Sequence, residues 1–528
     1  MLKSRLPLVA LAGSVGLFLV VGWLSLSTAD FGAFHDDGIY TVTARSLAVT
    51  GEYRITSLPG EPYQRKYPIV FPAVLAAVWR IAGDFPANIV WLKAVSLLAG
   101  AVFLFLTFGL LRNVGASAWT AAVITGVCAV MPATGESANQ VMSELLYGAI
   151  SIAALWLLER AVRGNPSPGL GLAAGLVAGL AYQTRSVGLA LVLAMILMMA
   201  CQRRWRVLMA GMVGVGLTVG VCKLWQGPAS EVPLRYEYYV NYGDWFLRIA
   251  NDLGWQFVAI VPLKNFMVGV IAVVRTALPY MYDLSRSAPK QFAVAVAGLL
   301  LLSTLIPGWI RRRHEAWAIY LLLYIAIYLV WPYPPVPRFF VPVLPLILLA
   351  VWEGFQRVQP SVRELRVAGA IAGAAIVAAG VYGGYVRLTN AHVKPSLHRY
   401  EWIRSNTAPG DVIASVLDPN CYLYTGRKAV SIATQAVMAP YYGPLGKYQL
   451  ISLEGLAEMV RTSNATYVMV EPVPHVGFVI ELAREVVGEL QQKSPGQLEE
   501  VWHDDLEEAT IYRVKEVKSV KGTPLSLR

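Results

Sequence analysis

Apolar residues run along this chain in long blocks separated by short polar turns. The blocks are Leu6 to Ala29, Ile89 to Leu111, Ala118 to Met131, Leu145 to Leu158, Leu170 to Ser186, Val187 to Cys201, Val207 to Trp225, Phe292 to Ile310, Trp317 to Trp331, Phe340 to Trp352 and Val367 to Tyr385. Each reads as a membrane helix, taking the requirement of about 20 residues loosely for the shorter ones. About eleven spans result. Basic residues mark alternate turns: Lys3 and Arg5, Arg112, Arg160, Arg203 with Arg204 and Arg206, Arg311 to Arg313, then Arg357. Positive flanks stay in the cytoplasm, so the N-terminus is expected inside and an odd span count leaves the C-terminus outside. The first block is longer than a signal-peptide core and more spans follow, so it reads as a retained anchor.

Two apolar stretches do not fit the alternation. Trp255 to Leu278 carries Lys264 and Arg275, and Ile69 to Ile81 is short and interrupted by Pro72. Both read as interfacial or re-entrant helices inside outer loops, 226–290 and 30–88 respectively. From Arg387 charge rises and apolar runs shorten. Strands are expected near Asp411 to Ser415, Thr466 to Val470 and Ala509 to Val514, with helices over Leu397 to Ser405, Leu453 to Arg461 and Val476 to Leu490. The expected architecture is a polytopic α-helical membrane module over 1–386 and a small outer α/β domain over 387–528.

Composition agrees with this pattern. Of 528 residues 56% are hydrophobic and only 15% charged, which removes multidomain soluble, disordered and disulfide-scaffold readings. The net charge of +11 reflects cytoplasmic-turn bias rather than nucleic-acid binding. The four cysteines show no metal-binding spacing, and neither an HExxH nor a phosphate-binding loop occurs.

Candidate chemistry lies where charge meets the expected outer face. His35-Asp36-Asp37-Gly38-Ile39-Tyr40 follows the first membrane exit, with Lys66-Tyr67-Pro68 further on. An acid here is either a catalytic carboxylate or the N-cap of a helix over Gly38 to Ala48. His35 reads as a local hydrogen-bonding neighbour. Glu144 opens a span, either as a functional acid or as a first-turn complement to the helix dipole. Arg185 and Arg338 stand at outer ends, outside the cytoplasmic basic set, and either hold an anion or snorkel to headgroups. Together, acids that accept a proton and cations that stabilise a departing phosphate suit group transfer from a phosphate-bearing lipid.

These residues resemble the motifs of C-type (GT-C), lipid-dependent glycosyltransferases, in the branch of protein mannosyltransferases and aminoarabinose transferases. Asp36-Asp37-x-x-Tyr40 resembles their Asp-Glu motif, and Lys66-Tyr67-Pro68 their Lys-Pro-Pro segment. Glu144 stands where their second acid does. Gly175 to Gly188, with Tyr182-Gln183-Thr184-Arg185, resembles their Gly-rich span pair, and Arg338 to Pro345 their late Arg-Tyr-x-x-Pro-x-x-Pro span. The resemblance covers Leu6 to about Trp352. It departs at Asp37, which replaces Glu, and at Tyr67, which replaces Pro. It implies a polyprenyl-phosphate sugar donor, a lipid, glycan or protein acceptor, and inverting transfer. It also implies Asp36 as catalytic base, with Asp37 and Glu144 positioning the acceptor or active site. Lys66, Arg185 and Arg338 contact donor phosphate, with Tyr40 and Tyr67 in support. Some members use a divalent metal such as Mg or Mn and others do not, so the resemblance leaves the metal open. A transporter or flippase of lipid-linked saccharides, or a non-catalytic membrane subunit with a ligand-binding outer domain, are the other readings. A transporter should show internal repeats and broken helices near mid-membrane, and no such symmetry is visible.

Overall fold

In the computed structural model the described residues are 2–28, 31–32, 34–162, 167–228, 240, 242–278, 288–357, 363–392, 395–432, 453–472 and 477–515. Much of the expected second outer loop, 229–239 and 279–287, lies outside them. The chain forms α1 (Leu2–Ser25), α2 (Asp36–Val49), α3 (Val70–Ala82), α4 (Ile89–Asn113), α5 (Ala118–Val130), α6 (Pro132–Ala138), α7 (Glu144–Val162), α8 (Pro168–Tyr182), α9 (Leu189–Cys201) and α10 (Trp205–Lys223). Then follow α11 (Tyr242–Leu253), α12 (Trp255–Ala277), α13 (Ala288–Arg312), α14 (Ala316–Val330), α15 (Pro337–Phe340), α16 (Leu344–Arg357) and α17 (Arg363–Asn390).

All eleven expected segments are helical. Seven described helices are long and apolar enough to cross a membrane, or eight if α5 and α6, bent by 62°, count as one broken span. Pro132 accounts for the break, because it cannot donate the backbone bond that would continue α5. α8, α9 and α14 are apolar but shorter. Here small residues compensate for length by letting backbones approach. Gly171, Gly175 and Gly179 recur every fourth residue and face α10, and a Cβ on Gly175 would fall 1.9 Å from the Gly211 carbonyl oxygen. Only glycine permits that contact.

α12 is apolar over 23 residues and long enough to cross a membrane. Asn265 Nδ2 donates to the carbonyls of Tyr328 (2.9 Å) and Trp331 (2.7 Å) at the end of α14. Eleven residues later Thr276 Oγ1 reaches Met131 Sδ at the end of α5. By length and composition α12 ranks with the helices able to cross a membrane, where the sequence pattern led to an interfacial helix.

The C-terminal region contains α18 (His398–Asn406), β1 (Val412–Ser415), α19 (Asp418–Thr425), β2 (Lys428–Ser431), α20 (Leu453–Ser463), β3 (Tyr467–Val470), α21 (Gly477–Lys493), β4 (Leu498–Asp504) and β5 (Ala509–Val514). The sheet order is β2-β1-β3-β5-β4, with β2, β1 and β3 parallel and the rest antiparallel. β1 and β3 are buried throughout, alternate residues facing opposite cores. Val412, Ala414, Val468 and Val470 share a core with the 31–92 region, including Ile39, Tyr53 and Phe71. Ile413, Tyr467 and Met469 face α18 through Tyr400 and Ile403. Backbone bonding joins the two regions as well, since Ala429 N donates to Ser57 O at 2.9 Å.

The close α8–α10 packing gives a direct test. Gly175→Leu should overpack the contact and cost about 1–3 kcal/mol, read as a lower unfolding midpoint in detergent. Gly220→Leu, on α10 with nothing within 4 Å of its Cβ, should leave the midpoint unchanged; equal losses would show that side-chain size alone matters.

Candidate active site

Asp36 is the first residue of α2. The position before it belongs to His35, and neither acid caps the helix with its side chain. Asp36 Oδ2 lies 2.8 Å from Arg338 Nη2, and its Oδ1 accepts the Tyr67 hydroxyl hydrogen bond. Arg338 follows Pro337 at the start of α15, where Pro suits the first turn of a helix. Its guanidinium stands over the rings of Phe34 at 5.0 Å and Phe339 at 5.3 Å. Its other terminal nitrogen comes within 3.4 Å of Glu144 Oε1.

Glu144 opens α7 and is fully buried. Arg185 Nη1 approaches the same Oε1 at 2.9 Å and also donates to Ser143 Oγ at 3.0 Å. Ser143 Oγ lies 3.0 Å from the Tyr40 hydroxyl. Tyr40 packs on Tyr67, ring centroids 4.9 Å apart. One chain of contacts therefore runs Tyr67–Asp36–Arg338–Glu144–Arg185–Ser143–Tyr40. Lys66 is nearly buried, its Nζ 4.6 Å from the Tyr67 ring centre and 5.4 Å from that of Tyr242.

Seven of the eight residues singled out in the sequence thus meet at one end of the bundle. Asp37 does not join the chain of contacts. Its carboxylate accepts the amides of Gly32, in the loop before α2, and of Gly38, in the helix's own first turn, both at 2.8 Å. Burial pushes its carboxyl up to about 6, and the two amides and the Lys93 charge offset only part of that. His35 has a long-range partner. Its Nε2 lies 2.8 Å from Asp418 Oδ1 of α19, a partner 383 positions away that no local pattern reveals. Ser143, Phe34, Phe339 and the buried Lys93 were not singled out from the sequence. Of these Ser143 and Phe339 adjoin residues that were.

The electrostatics separate the two aspartates. Burial pushes the Asp36 carboxyl up, but the charges of Arg338 and Lys66 and the Tyr67 hydroxyl outweigh it and hold the group well below the ordinary range. Burial pushes Lys66 down, the Asp36 charge pulls it back, and Arg338 opposes, leaving it at about 7. His35 is also lowered by burial, but Asp418 and Asp36 reverse this and raise it. With Lys66 charged, three cations face two carboxylates, so the cluster carries one surplus positive charge suited to an anion. A divalent ion suits the arrangement poorly. Asp36 is engaged by Arg338 and Tyr67, Glu144 by two guanidiniums, and Asp37 by backbone amides. The residues present do not fit a metal.

The apolar helices make this an integral membrane protein, and its fold is similar to that of solved membrane transferases. Two solved structures carry the likeness. One is ArnT from Cupriavidus metallidurans bound to undecaprenyl phosphate, 14% identical over 95% of this chain and 97% of that chain, with TM-score 0.56. The other is the archaeal oligosaccharyltransferase AglB from Archaeoglobus fulgidus in complex with an inhibitory peptide and a dolichol-phosphate, 12% identical over 99% and 75%, with TM-score 0.57. More particularly, residues 66–224 match the family model of dolichyl-phosphate-mannose-protein mannosyltransferases. That stretch holds Lys66, Glu144 and Arg185, whereas Asp36 and Arg338 lie outside it. A comparison with curated protein sequences finds no match.

Lys66 makes anion binding depend on pH. The free protein loses its Lys66 proton above about pH 7, while a bound anion favours the ammonium. Binding then takes up a proton, so affinity should fall as pH rises, by up to about tenfold per unit. A polyprenyl phosphodiester keeps constant charge over pH 7–9 and is the suitable probe in detergent calorimetry. Lys66→Met should bind more weakly with a flat profile; a wild-type affinity independent of pH would remove Lys66 from the anion site.

Proposed function

We propose that this protein transfers a sugar from a polyprenyl-phosphate donor to an acceptor hydroxyl on the extracytoplasmic side of the membrane, with inversion and with Asp36 as general base. The observation that carries this reading is Arg338, shared between the Asp36 carboxylate and the Glu144–Arg185 pair at the end of an apolar bundle. That the fold's relatives were solved with undecaprenyl phosphate and dolichol-phosphate supports a lipid-linked donor.

The geometry suggests how the steps couple. Asp36 is ionised at neutral pH and ready to accept a proton, but its pairing with Arg338 makes it a weak base. As the sugar–phosphate bond breaks, charge grows on the leaving phosphate and competes for Arg338. The pull on Asp36 then slackens, and its basicity rises as the acceptor oxygen attacks the anomeric carbon and releases its proton. Lys66 and Arg185 supply the remaining positive charge, and Glu144 keeps the two guanidiniums from repelling each other. Attack from the face opposite the phosphate inverts the sugar. The site lies at one end of the bundle rather than at mid-membrane, which argues against a transport pathway.

Asp36→Asn keeps shape and most hydrogen bonding but removes the base. It should fold normally and lose at least ~100-fold in turnover on a polyprenyl-phosphate sugar, while Asp37→Asn loses far less because Asp37 serves the loop. Near-normal turnover in Asp36→Asn would rule out the base role.

Sidedness follows from the basic turns, which put Asp36 and the C-terminal domain outside. A cysteine replacing Gly496, an exposed position between α21 and β4, should react with a membrane-impermeant thiol reagent on intact spheroplasts. Reaction only after lysis would place the site in the cytoplasm.

A further inference from the structure

The C-terminal domain meets the membrane module at Asp36's own loop. β1 is flanked by β2 on one side and β3 on the other, so the strand order reverses direction at its edge with β3. In open α/β sheets such a switch point is where ligands are held. Here Asp418, three residues beyond β1, receives the loop that precedes Asp36. Asn420 Nδ2 reaches the Phe31 carbonyl at 3.5 Å. A Cβ on Gly32 would fall 1.6 Å from Asn420 Nδ2, and one on Gly38 2.7 Å from Pro419 Cβ. The loop and the first turn of α2 are therefore packed closely against the start of α19.

His35 carries the strain of this contact. Its φ of 57° with ψ of −43° is a backbone state that side chains rarely adopt. Such a residue persists where its surroundings over-determine it. Among the contacts that hold it is the 2.8 Å approach to Asp418, a residue with no exposed surface whose Oδ2 has no hydrogen-bond partner among the described residues. The rest of the interface does not need Asp418. Lys428 donates to the Thr56 carbonyl and pairs with Glu61, Ala429 N bonds Ser57 O, and Arg45 Nη1 donates to the Tyr422 hydroxyl.

We propose that Asp418, from the C-terminal domain, is a positioning residue that fixes His35 and through it directs the Asp36 carboxylate toward Arg338. The domain is then part of the active site's support and not a separate ligand-binding module. The inference rests on the catalytic reading of Asp36 for its kinetic consequence, and on the loop geometry alone for its structural one.

Asp418→Ala keeps the other docking contacts and removes the one carboxylate contact from His35 Nε2. Turnover should fall about 10- to 100-fold, the penalty of a carboxylate misplaced by an ångström, with the donor KM within about threefold of wild type. Asp418→Asn, which keeps an oxygen for the Nε2 hydrogen, should recover most of the loss. His35→Gly accepts the same φ without strain, so it should fold at least as well yet lose turnover like Asp418→Ala. Adding Asp418→Ala to it should change little more. Hydrogen exchange gives a readout free of any sugar: Asp418→Ala should speed exchange in residues 31–40 at least tenfold and leave 53–60 unchanged. Unchanged exchange in 31–40 would overturn the proposal, as would faster exchange with wild-type turnover, which would reduce the pair to a docking contact. A wild-type enzyme inactive on every polyprenyl-phosphate sugar, with the exchange effect present, would defeat the transferase reading and leave the positioning intact.

Discussion

A guanidinium with two acids to serve governs this structure. Arg338 sits where the bundle meets its polar end and has only modest access to water. Stripping a charge of its hydration is expensive, and only close partners offset the cost. Asp36 and Glu144 do so from helices far apart in the chain, and Phe34 and Phe339 present ring faces to the same cation. The network therefore fixes where α2, α7 and α15 begin relative to one another. Removing the charge of one member leaves its partners less well offset, so the positions of the members are coupled.

Backbone packing makes that arrangement reachable. Arg185 lies in the turn between α8 and α9, and α8 can reach its place only because its glycines admit the α10 backbone. The same turn is tied to the first loop, since Val70 N donates to the Gln183 carbonyl at 2.9 Å. On the other side, the Tyr324 hydroxyl bonds the Phe339 carbonyl at 2.5 Å, holding the helix turn that carries Arg338. Pro342 lacks the amide that would regularise this turn, so the carbonyl turns to a tyrosine instead. The charged side chains thus hang from rigid but irregular elements: helix starts, a helix break and a tight turn.

Much of this was legible because charge is conspicuous in an apolar chain. Glu144, Arg185 and Arg338 stand out since an ionisable residue at membrane depth needs a reason, and the alternation of basic turns brought them to one face. What could not be read was direction. Asp36 and Asp37 are adjacent in sequence, but successive helical residues point about 100° apart, so one faces Arg338 and the other the amides of Gly32 and Gly38. Sequence proximity suggested a working pair, and the helix divides it. In the C-terminal domain β1, β3 and β5 were visible as buried apolar runs. β4, with Glu499, Glu500 and Asp504, is an exposed edge strand without such a run, and β2, Lys428 to Ser431, buries only Ala429 and Val430. The His35–Asp418 contact left no trace because its partners lie 383 positions apart.

That long-range contact changes how the two regions should be regarded. A soluble domain appended to a membrane bundle would be expected to keep its own core, with a small polar interface between them. Here Ile39, Tyr53 and Phe71 of the first loop share one core with Val412, Val468 and Val487 of the domain. The loop between α1 and α4 packs its apolar residues against one face of the sheet. The sheet in turn covers an apolar face that it would otherwise expose. Each half completes the other, so the acid that begins α2 owes its place as much to the last quarter of the chain as to the membrane helices beneath it.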